Sequence, residues 1–193
     1  MNVLKRLKFN KLTFELCWGD LTKCKVHVIV NAANKYLKHY GGVALAIAKA
    51  ATGGNPEKYI EISKKELTRQ VGKDHIEPGE VVVTPPLRLE KYGIKYVIHT
   101  VGPKCSGKWN YEYKKVLKKA LKKPLEKAEE LKVESIAFPA ISAGIYGCPL
   151  KKVVKTFVEV IKDFSTKASS LKLVMLVIYD QKSAKETLNA LDT

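Results

Sequence analysis

The chain has 193 residues, 46% of them hydrophobic, which is enough to bury one core and excludes a disordered chain. Its 35 lysines and arginines outnumber its 19 acidic residues, giving a net charge of +16. No apolar run reaches the roughly 18 residues of a membrane span, and residues 1–9 lack the apolar block of a signal peptide. The sequence therefore predicts a cytoplasmic protein with a single domain over residues 1–193.

Short runs rich in β-branched and aromatic residues predict the strands. A weaker strand is predicted over residues 3–9, and stronger ones over residues 11–18, 26–33, 80–84, 94–101, 134–140 and 171–179. Residues 26–33 and 171–179 are almost continuously apolar, which is typical of central strands that are covered on both faces.

Helices are predicted between these strands. Apolar periodicity places them over residues 42–52, 56–71, 110–131, 150–164 and 183–191. The first is apolar almost all round, so we expect it to be buried, and Pro124 should kink or split the third. Leading strands followed by strand–helix alternation predict an α/β fold. We expect a three-layer α/β/α sandwich around a mixed sheet of about six or seven strands.

The cysteines and histidines show no ligand spacing. Cys17, Cys24, Cys105 and Cys148 stand far apart and form no C-x-x-C pair. We therefore expect four reduced thiols in a cytosolic protein, without a disulfide, a metal site or a cofactor.

Two loops at predicted strand ends combine small and polar residues, and ligands of open α/β sheets collect at such ends. The first runs from Asn31 and Asn34 to Gly41 and Gly42, at the mouth of a helix whose first N–H groups are unpaired. The second, residues 139–149, leaves room for successive backbone N–H groups to face an anion. Either loop alone is compatible with a structural turn. Two of them in one domain indicate a clamp on a phosphate or diphosphate.

Taken together, these segments resemble the macrodomain family, most closely its stand-alone archaeal members. The resemblance covers residues 10–190. Its motifs are Gly-Asp-Leu-Thr at 19–22, Val-Asn-Ala-Ala-Asn at 30–34, Gly-Gly-Val at 41–43, His-Thr-Val-Gly-Pro at 99–103, Phe-Pro-Ala-Ile-Ser-Ala-Gly-Ile-Tyr-Gly at 138–147 and Val-Ile-Tyr-Asp at 177–180. It implies a cleft that binds ADP-ribose, either free or attached to proteins.

The resemblance also implies roles for individual residues. Asp20 would accept a hydrogen bond from the adenine amino group, Tyr179 would stack on the ring, and Asn34 would bind the distal ribose hydroxyls. The alternatives are a turn-capping Asp20, a core Tyr179, and an Asn31 that holds its loop instead of contacting ligand. The predicted ligand-binding residues are Asp20, Leu21, Ala33, Asn34, Gly41, Gly42, Val43, Ser142, Ala143, Gly144, Ile145, Tyr146 and Tyr179.

The sequence leaves two interpretations of catalysis open. A hydrolytic branch of the family carries an Asp two residues beyond its glycine run, where this chain has Ala44. The resemblance still implies modest hydrolysis of ADP-ribosyl esters on Asp or Glu, or of ADP-ribose 1″-phosphate, because the substrate's own diphosphate can orient a water. Asn34 and Gly42 are the predicted catalytic positions. The alternative is a reader of ADP-ribose without turnover. His39, alone in a lysine-rich loop, is predicted to be a surface residue.

The lysine excess allows a third interpretation. The predicted helix over residues 110–131 carries a broad basic face formed by Lys114, Lys115, Lys118, Lys119, Lys122 and Lys123. Lysines attract polyanions without reading bases. We expect a solvated surface and, because of the like charge, a monomer. Non-specific contact with nucleic acid or poly-ADP-ribose is the alternative, and no membrane contact is implied.

Overall fold

A seven-stranded sheet forms the centre of the computed structural model, which describes residues 1–192. The strands are β1 (Asn2–Phe9), β2 (Leu12–Trp18), β3 (Val28–Ala32), β4 (Val81–Thr84), β5 (Tyr96–Thr100), β6 (Ser135–Phe138) and β7 (Leu173–Ile178). Their spatial order is β1-β2-β7-β6-β3-β5-β4. The five central strands are parallel, and β1 and β4 pair antiparallel at the two edges. The prediction of a mixed sheet is confirmed.

Helices cover both faces of this sheet. They are α1 (Gly42–Thr52), α2 (Pro56–Val71), α3 (Tyr111–Glu130), α4 (Leu150–Phe164) and α5 (Gln181–Leu191). Successive strand residues alternate between two cores: in β6, Ile136 and Phe138 pack with residues of α3, α4 and α5, whereas Ala137 packs with residues of α1. The three-layer prediction is confirmed. Within residues 1–192, no helix is long and apolar enough to cross a bilayer.

Helix α3 runs uninterrupted past Pro124, so the proline does not split it. A proline has no N–H to bond the carbonyl four residues earlier, which here belongs to Ala120. The Thr100 hydroxyl, at the end of β5, donates to that carbonyl at 2.8 Å. The strand therefore supplies the hydrogen bond that the helix lacks.

The prediction that α1 is buried is wrong for its first half. Only Ile47, Ala48 and Ala51 are buried, and they pack in the core beneath α1. The preceding turns of α1 face a surface cleft, so their apolar side chains line open space.

The expectation of four reduced thiols is wrong for one pair. Cys105 and Cys148 form a disulfide, with Cα atoms 4.8 Å apart across 43 positions of sequence. The loops that follow β5 and β6 meet above the end of β3, which lies between these strands in the sheet. Cys17 and Cys24 are free and buried, and burial raises their thiol pKa values to about 11 and about 12.

Candidate functional site

A cleft of about 1040 Å³ crosses the carboxyl edge of the parallel strands. The loops after β2, β7, β6, β3 and β5 line it, in the order in which these strands stand in the sheet. From β2 to β3 this edge is about 14 Å wide, at the usual spacing between strands. All thirteen predicted ligand-binding residues line this one cleft.

The loops after β2 and β7 place Asp20 and Tyr179 at one end of the cleft. Asp20 caps a short 3-10 helix: its Oδ1 accepts hydrogen bonds from the N–H and the hydroxyl of Thr22, at 2.9 and 2.7 Å. Its Oδ2 accepts no hydrogen bond from residues 1–192, which leaves this oxygen free for a ligand. Tyr179 is 79% exposed and is therefore not a core residue.

The first turn of α1 forms one wall of the cleft. No side chain caps this helix, and the N–H groups of Gly42, Val43 and Ala44 donate to no atom of the described chain. Gly42 has a φ of +56°, and a Cβ at Gly41 or Gly42 would meet nothing within 4 Å. Three unpaired donors and the positive end of a helix dipole make this wall attractive to an anion.

The loop after β6 supplies a second set of donors. Ser142 adopts a positive φ of 66°, and the N–H groups of Gly144, Ile145 and Tyr146 bond no acceptor within residues 1–192. The Ile145 side chain is 95% exposed. Because β6 and β3 are neighbours, these donors stand beside the start of α1, and the two sets together can surround a diphosphate.

The loop after β5 holds the loop after β6 in place. The N–H groups of Cys105 and Gly107 donate to the carbonyls of Tyr146 and Gly147, both at 2.8 Å. The disulfide to Cys148 ties the same two loops covalently. The conformation of the second donor set is therefore fixed by contacts outside its own sequence.

Asn34 is exposed in the loop after β3, where its side chain organises the backbone that follows. Its Oδ1 accepts from the N–H groups of Tyr36 and Lys38 at 3.2 and 3.0 Å, and its Nδ2 donates to the Lys38 carbonyl at 2.6 Å. The loop-holding role that the sequence allowed for Asn31 thus belongs to Asn34.

Asn31 instead belongs to a buried polar chain behind the cleft wall. Its Nδ2 donates to His99 Nδ1 at 3.0 Å, and His99 Nε2 lies 2.8 Å from Thr84 Oγ1, which contacts the Tyr59 hydroxyl at 2.7 Å. An imidazole that accepts at one nitrogen and donates at the other is neutral. Burial and the neighbouring His39 both lower the pKa of His99 well below its ordinary value.

The prediction of a surface His39 is wrong. The loop alternates, with Leu37 and His39 buried and Lys38 and Tyr40 exposed. His39 Nε2 lies 2.9 Å from Ser63 Oγ, and its ring stacks on that of His99 with centroids 5.2 Å apart. Burial lowers the pKa of His39 to about 4, so the side chain is neutral at pH 7.

Several residues that line the cleft are not among the predicted ones, including Lys38, Tyr40, Gly102 and Glu186. The alternation of apolar and polar residues over 37–40 was a signal for the first two. Gly102 lies so close to the loop after β6 that a Cβ there would stand 2.1 Å from the Ser142 hydroxyl. Nothing local in the sequence indicates that contact.

The polar side chains of the cleft divide into two groups. The carboxylates belong to the Asp20–Tyr179 end, and they are Asp20, Asp180 and Glu186. The opposite half, around Asn34 and the start of α1, has no carboxylate or histidine in its described lining. Across residues 1–192, no three His, Cys, Asp or Glu side chains come together as metal ligands would.

Comparisons with known families and proteins agree on the type of domain. The family model described as "Macro domain" matches residues 30–157. A protein of Archaeoglobus fulgidus named ADP-ribose glycohydrolase is 57% identical over 192 residues, covering 100% of this chain and 98% of its own. A relative from Pyrococcus furiosus is 62% identical over 170 residues, or 88% of this chain and 92% of its own.

Solved structures show the same architecture. The Oceanobacillus iheyensis macrodomain with ADP is 30% identical at a TM-score of 0.83, covering 97% of this chain and 94% of that one. The Trypanosoma brucei macrodomain in complex with ADP-ribose is 25% identical at a TM-score of 0.75, covering 92% of this chain and 68% of that one.

Proposed function

The chain belongs to the macro domain family, and from this premise we propose that it binds ADP-ribose in the cleft and hydrolyses ADP-ribosyl esters at a modest rate. The observation that carries the proposal is the pair of unpaired backbone N–H sets, one at the start of α1 and one over residues 144–146. We further propose that the protein acts as a cytoplasmic monomer on ADP-ribosylated proteins.

The order of the loops along the cleft determines which end of ADP-ribose lies at which end of the cleft. Adenine would lie at the Asp20–Tyr179 end, where a free carboxylate oxygen can accept from its amino group and an exposed ring can stack on it. The diphosphate would bind both sets of N–H groups, and the distal ribose would reach Asn34 and Gly42. The solved relatives with ADP and ADP-ribose support this choice of ligand.

Hydrolysis of a carboxylate ester needs little help from side chains. Water attacks the anomeric carbon of the distal ribose, the bond from that carbon to the ester oxygen breaks, and the products are ADP-ribose, a carboxylate and a proton. The leaving carboxylate has an ordinary pKa near 4, so it departs without a general acid. Asn34 and the start of α1 would position the distal ribose, and the substrate's diphosphate would orient the water.

Calorimetric titration with ADP-ribose tests the binding proposal, with AMP and GDP-ribose as controls. We expect ADP-ribose to bind more tightly than either control. Asp20→Ala should reduce the affinity and the preference for adenine over guanine, because guanine presents an acceptor where adenine presents a donor. A folded wild type that does not bind ADP-ribose would overturn the proposal.

Hydrolysis is tested separately, on a protein carrying ADP-ribose on glutamate. We expect several turnovers per protein molecule, slowed about tenfold or more by Asn34→Ala, because this change removes both the ribose contact and the order of the following loop. Stoichiometric binding without product after a long incubation would make the protein a reader of ADP-ribose instead of an enzyme.

A further inference from the structure

A second cavity, of about 390 Å³, adjoins the cleft. It is lined by Tyr36, Lys38, Lys64, Leu67, Thr68 and Asp74. Lys38 lines both cavities, which places the second beside the Asn34 half of the cleft, away from the Asp20–Tyr179 end. In an ADP-ribosyl ester the protein is attached to the distal ribose, so the protein chain leaves the cleft on this side.

We infer that the second cavity receives the segment of an ADP-ribosylated protein that flanks the modified residue, and that it selects acidic flanks. This inference rests on the proposed function. It assigns a substrate preference to a cavity whose described lining shares only Lys38 with the cleft.

Charge is the first argument for this occupant. Neither Lys38 nor Lys64 forms an ion pair within residues 1–192, so both are available to an incoming carboxylate. Asp74 is the one carboxylate of the lining, and its Oδ1 already accepts from His75 Nδ1 at 2.9 Å. The lining thus carries two lysines without an ion pair and one aspartate that is already hydrogen-bonded. This balance of charge favours an acidic partner and disfavours a basic one.

Shape is the second argument. Tyr36 is 49% exposed, with the ammonium of Lys38 at 5.9 Å from its ring centroid and the His75 ring at 6.1 Å. An exposed aromatic ring held by neighbours on two sides is a suitable surface for the apolar part of a peptide.

The third argument is that one side chain, that of Asn34, lies in the cleft and also orders part of the second cavity. The Asn34 side chain bonds the backbone of Tyr36 and Lys38, so the residue proposed to contact the distal ribose also orders two residues of the second cavity. A surface that is ordered before binding costs less entropy when a peptide docks.

The test uses two synthetic peptides that carry ADP-ribose on a glutamine amide, a linkage that resists ester hydrolysis. In one peptide the modified residue is flanked by glutamates, and in the other by lysines. Affinities are measured for wild type, Lys64→Glu and Lys65→Glu, with free ADP-ribose as the reference ligand. Lys65 is the matched control because it is an exposed neighbour on α2 that lines neither cavity.

At about 150 mM salt we expect wild type to prefer the acidic peptide by about tenfold. Lys64→Glu should abolish or reverse this preference, Lys65→Glu should keep it within about twofold, and free ADP-ribose should bind all three proteins equally. Equal effects of the two substitutions would mean that net charge alone attracts the peptide, which would overturn the inference.

Three other results would also overturn the inference. Wild type that binds ADP-ribose but does not distinguish the peptides would refute it while leaving the proposed function intact, whereas absence of ADP-ribose binding would refute the proposed function itself. A two-unit ADP-ribose chain that binds more tightly than either peptide, and loses this gain in Lys64→Glu, would assign the cavity to polymer instead.

Discussion

The hydroxyl of Thr100 donates to the carbonyl of Ala120 at 2.8 Å, and both residues are fully buried. This bond joins the central sheet to α3 at the carbonyl that Pro124 leaves without its helical partner. The hydrogen bond that is missing within α3 is thus replaced by one that connects the helix layer to the sheet.

Thr100→Val should lower the free energy of unfolding by about 1–3 kcal/mol, because it leaves a buried carbonyl unsatisfied, whereas Thr100→Ser keeps the hydroxyl. Denaturant unfolding measures both. In a Pro124→Ala background, the restored N–H should reduce the cost of Thr100→Val in a double-mutant cycle. Equal stability of the valine and serine variants would contradict this account.

Ala44→Asp should increase the rate of ester hydrolysis by about tenfold or more, because it places a carboxylate that can orient or deprotonate water in the half of the cleft that lacks one. Ala44 lies in the first turn of α1, where a negative charge also suits the helix dipole. Single-turnover rates and ADP-ribose affinities would be compared with those of Ala44→Asn, which has nearly the same shape without the charge. Equal rates for the two variants would show that the added carboxylate does not act as a base.

The Cys105–Cys148 disulfide should stabilise the fold, with an upper estimate of about 4 kcal/mol for a loop of this length. The Cys105→Ser/Cys148→Ser variant should therefore unfold at a lower denaturant concentration, and it should bind ADP-ribose more weakly because the loop after β6 loses its covalent support. Thiol titration of the denatured wild type provides the direct check. It should detect two thiols before reduction and four afterwards, and four thiols before reduction would refute the disulfide.

Stability should decrease as the pH falls from about 6.5 towards 4. Burial lowers the pKa of His39 to about 4 and that of His99 well below 6.5, whereas both titrate near 6.5 in the unfolded chain. In this window the unfolded state binds protons that the folded state does not, which costs up to about 1.4 kcal/mol per pH unit for each histidine.

Denaturant unfolding at a series of pH values would measure this slope. His39→Gln should reduce the slope of the unfolding free energy against pH by the contribution of one histidine. A slope that is the same in His39→Gln as in the wild type would mean that His39 does not contribute to the loss of stability.

The features that were predicted from sequence are those that depend on local patterns. The bounds of α1 and α2 match the prediction to the residue, because Gly41 and Gly42, Gly53 and Pro56 mark helix ends directly in the sequence. The strands were found because their apolar runs are short and separated by turns. Their spatial order was not predicted, because it depends on pairings between distant segments.

Two of the errors share a cause. Cys105 meets Cys148 across 43 positions, and Pro124 is rescued by Thr100 from another layer of the fold. His39 was predicted at the surface because its neighbours are lysines, yet the alternation in its loop turns it inward against His99. The first two outcomes depend on long-range contacts that composition and periodicity do not encode, whereas the alternation around His39 was a local signal.

The predicted ligand-binding residues line one cleft because they follow strand ends, and parallel strands bring their carboxyl ends to one edge. The different roles of neighbouring residues within the cleft could not be predicted from the sequence. Asn31 and Asn34 stand three positions apart in one motif, yet one is buried against His99 and the other is exposed at the cleft.

The donors proposed to hold the diphosphate belong to the backbone, and this has an evolutionary consequence. A replacement of Val43, Ala44 or Ile145 changes the side chain and leaves the N–H in place, whereas proline is the one residue that removes it. Selection at these positions therefore acts on the backbone conformation and on the size of the side chain, instead of on its functional group. Diverging copies of such a domain could vary the walls of the cleft, and with them the substrate, while inheriting the same anion site.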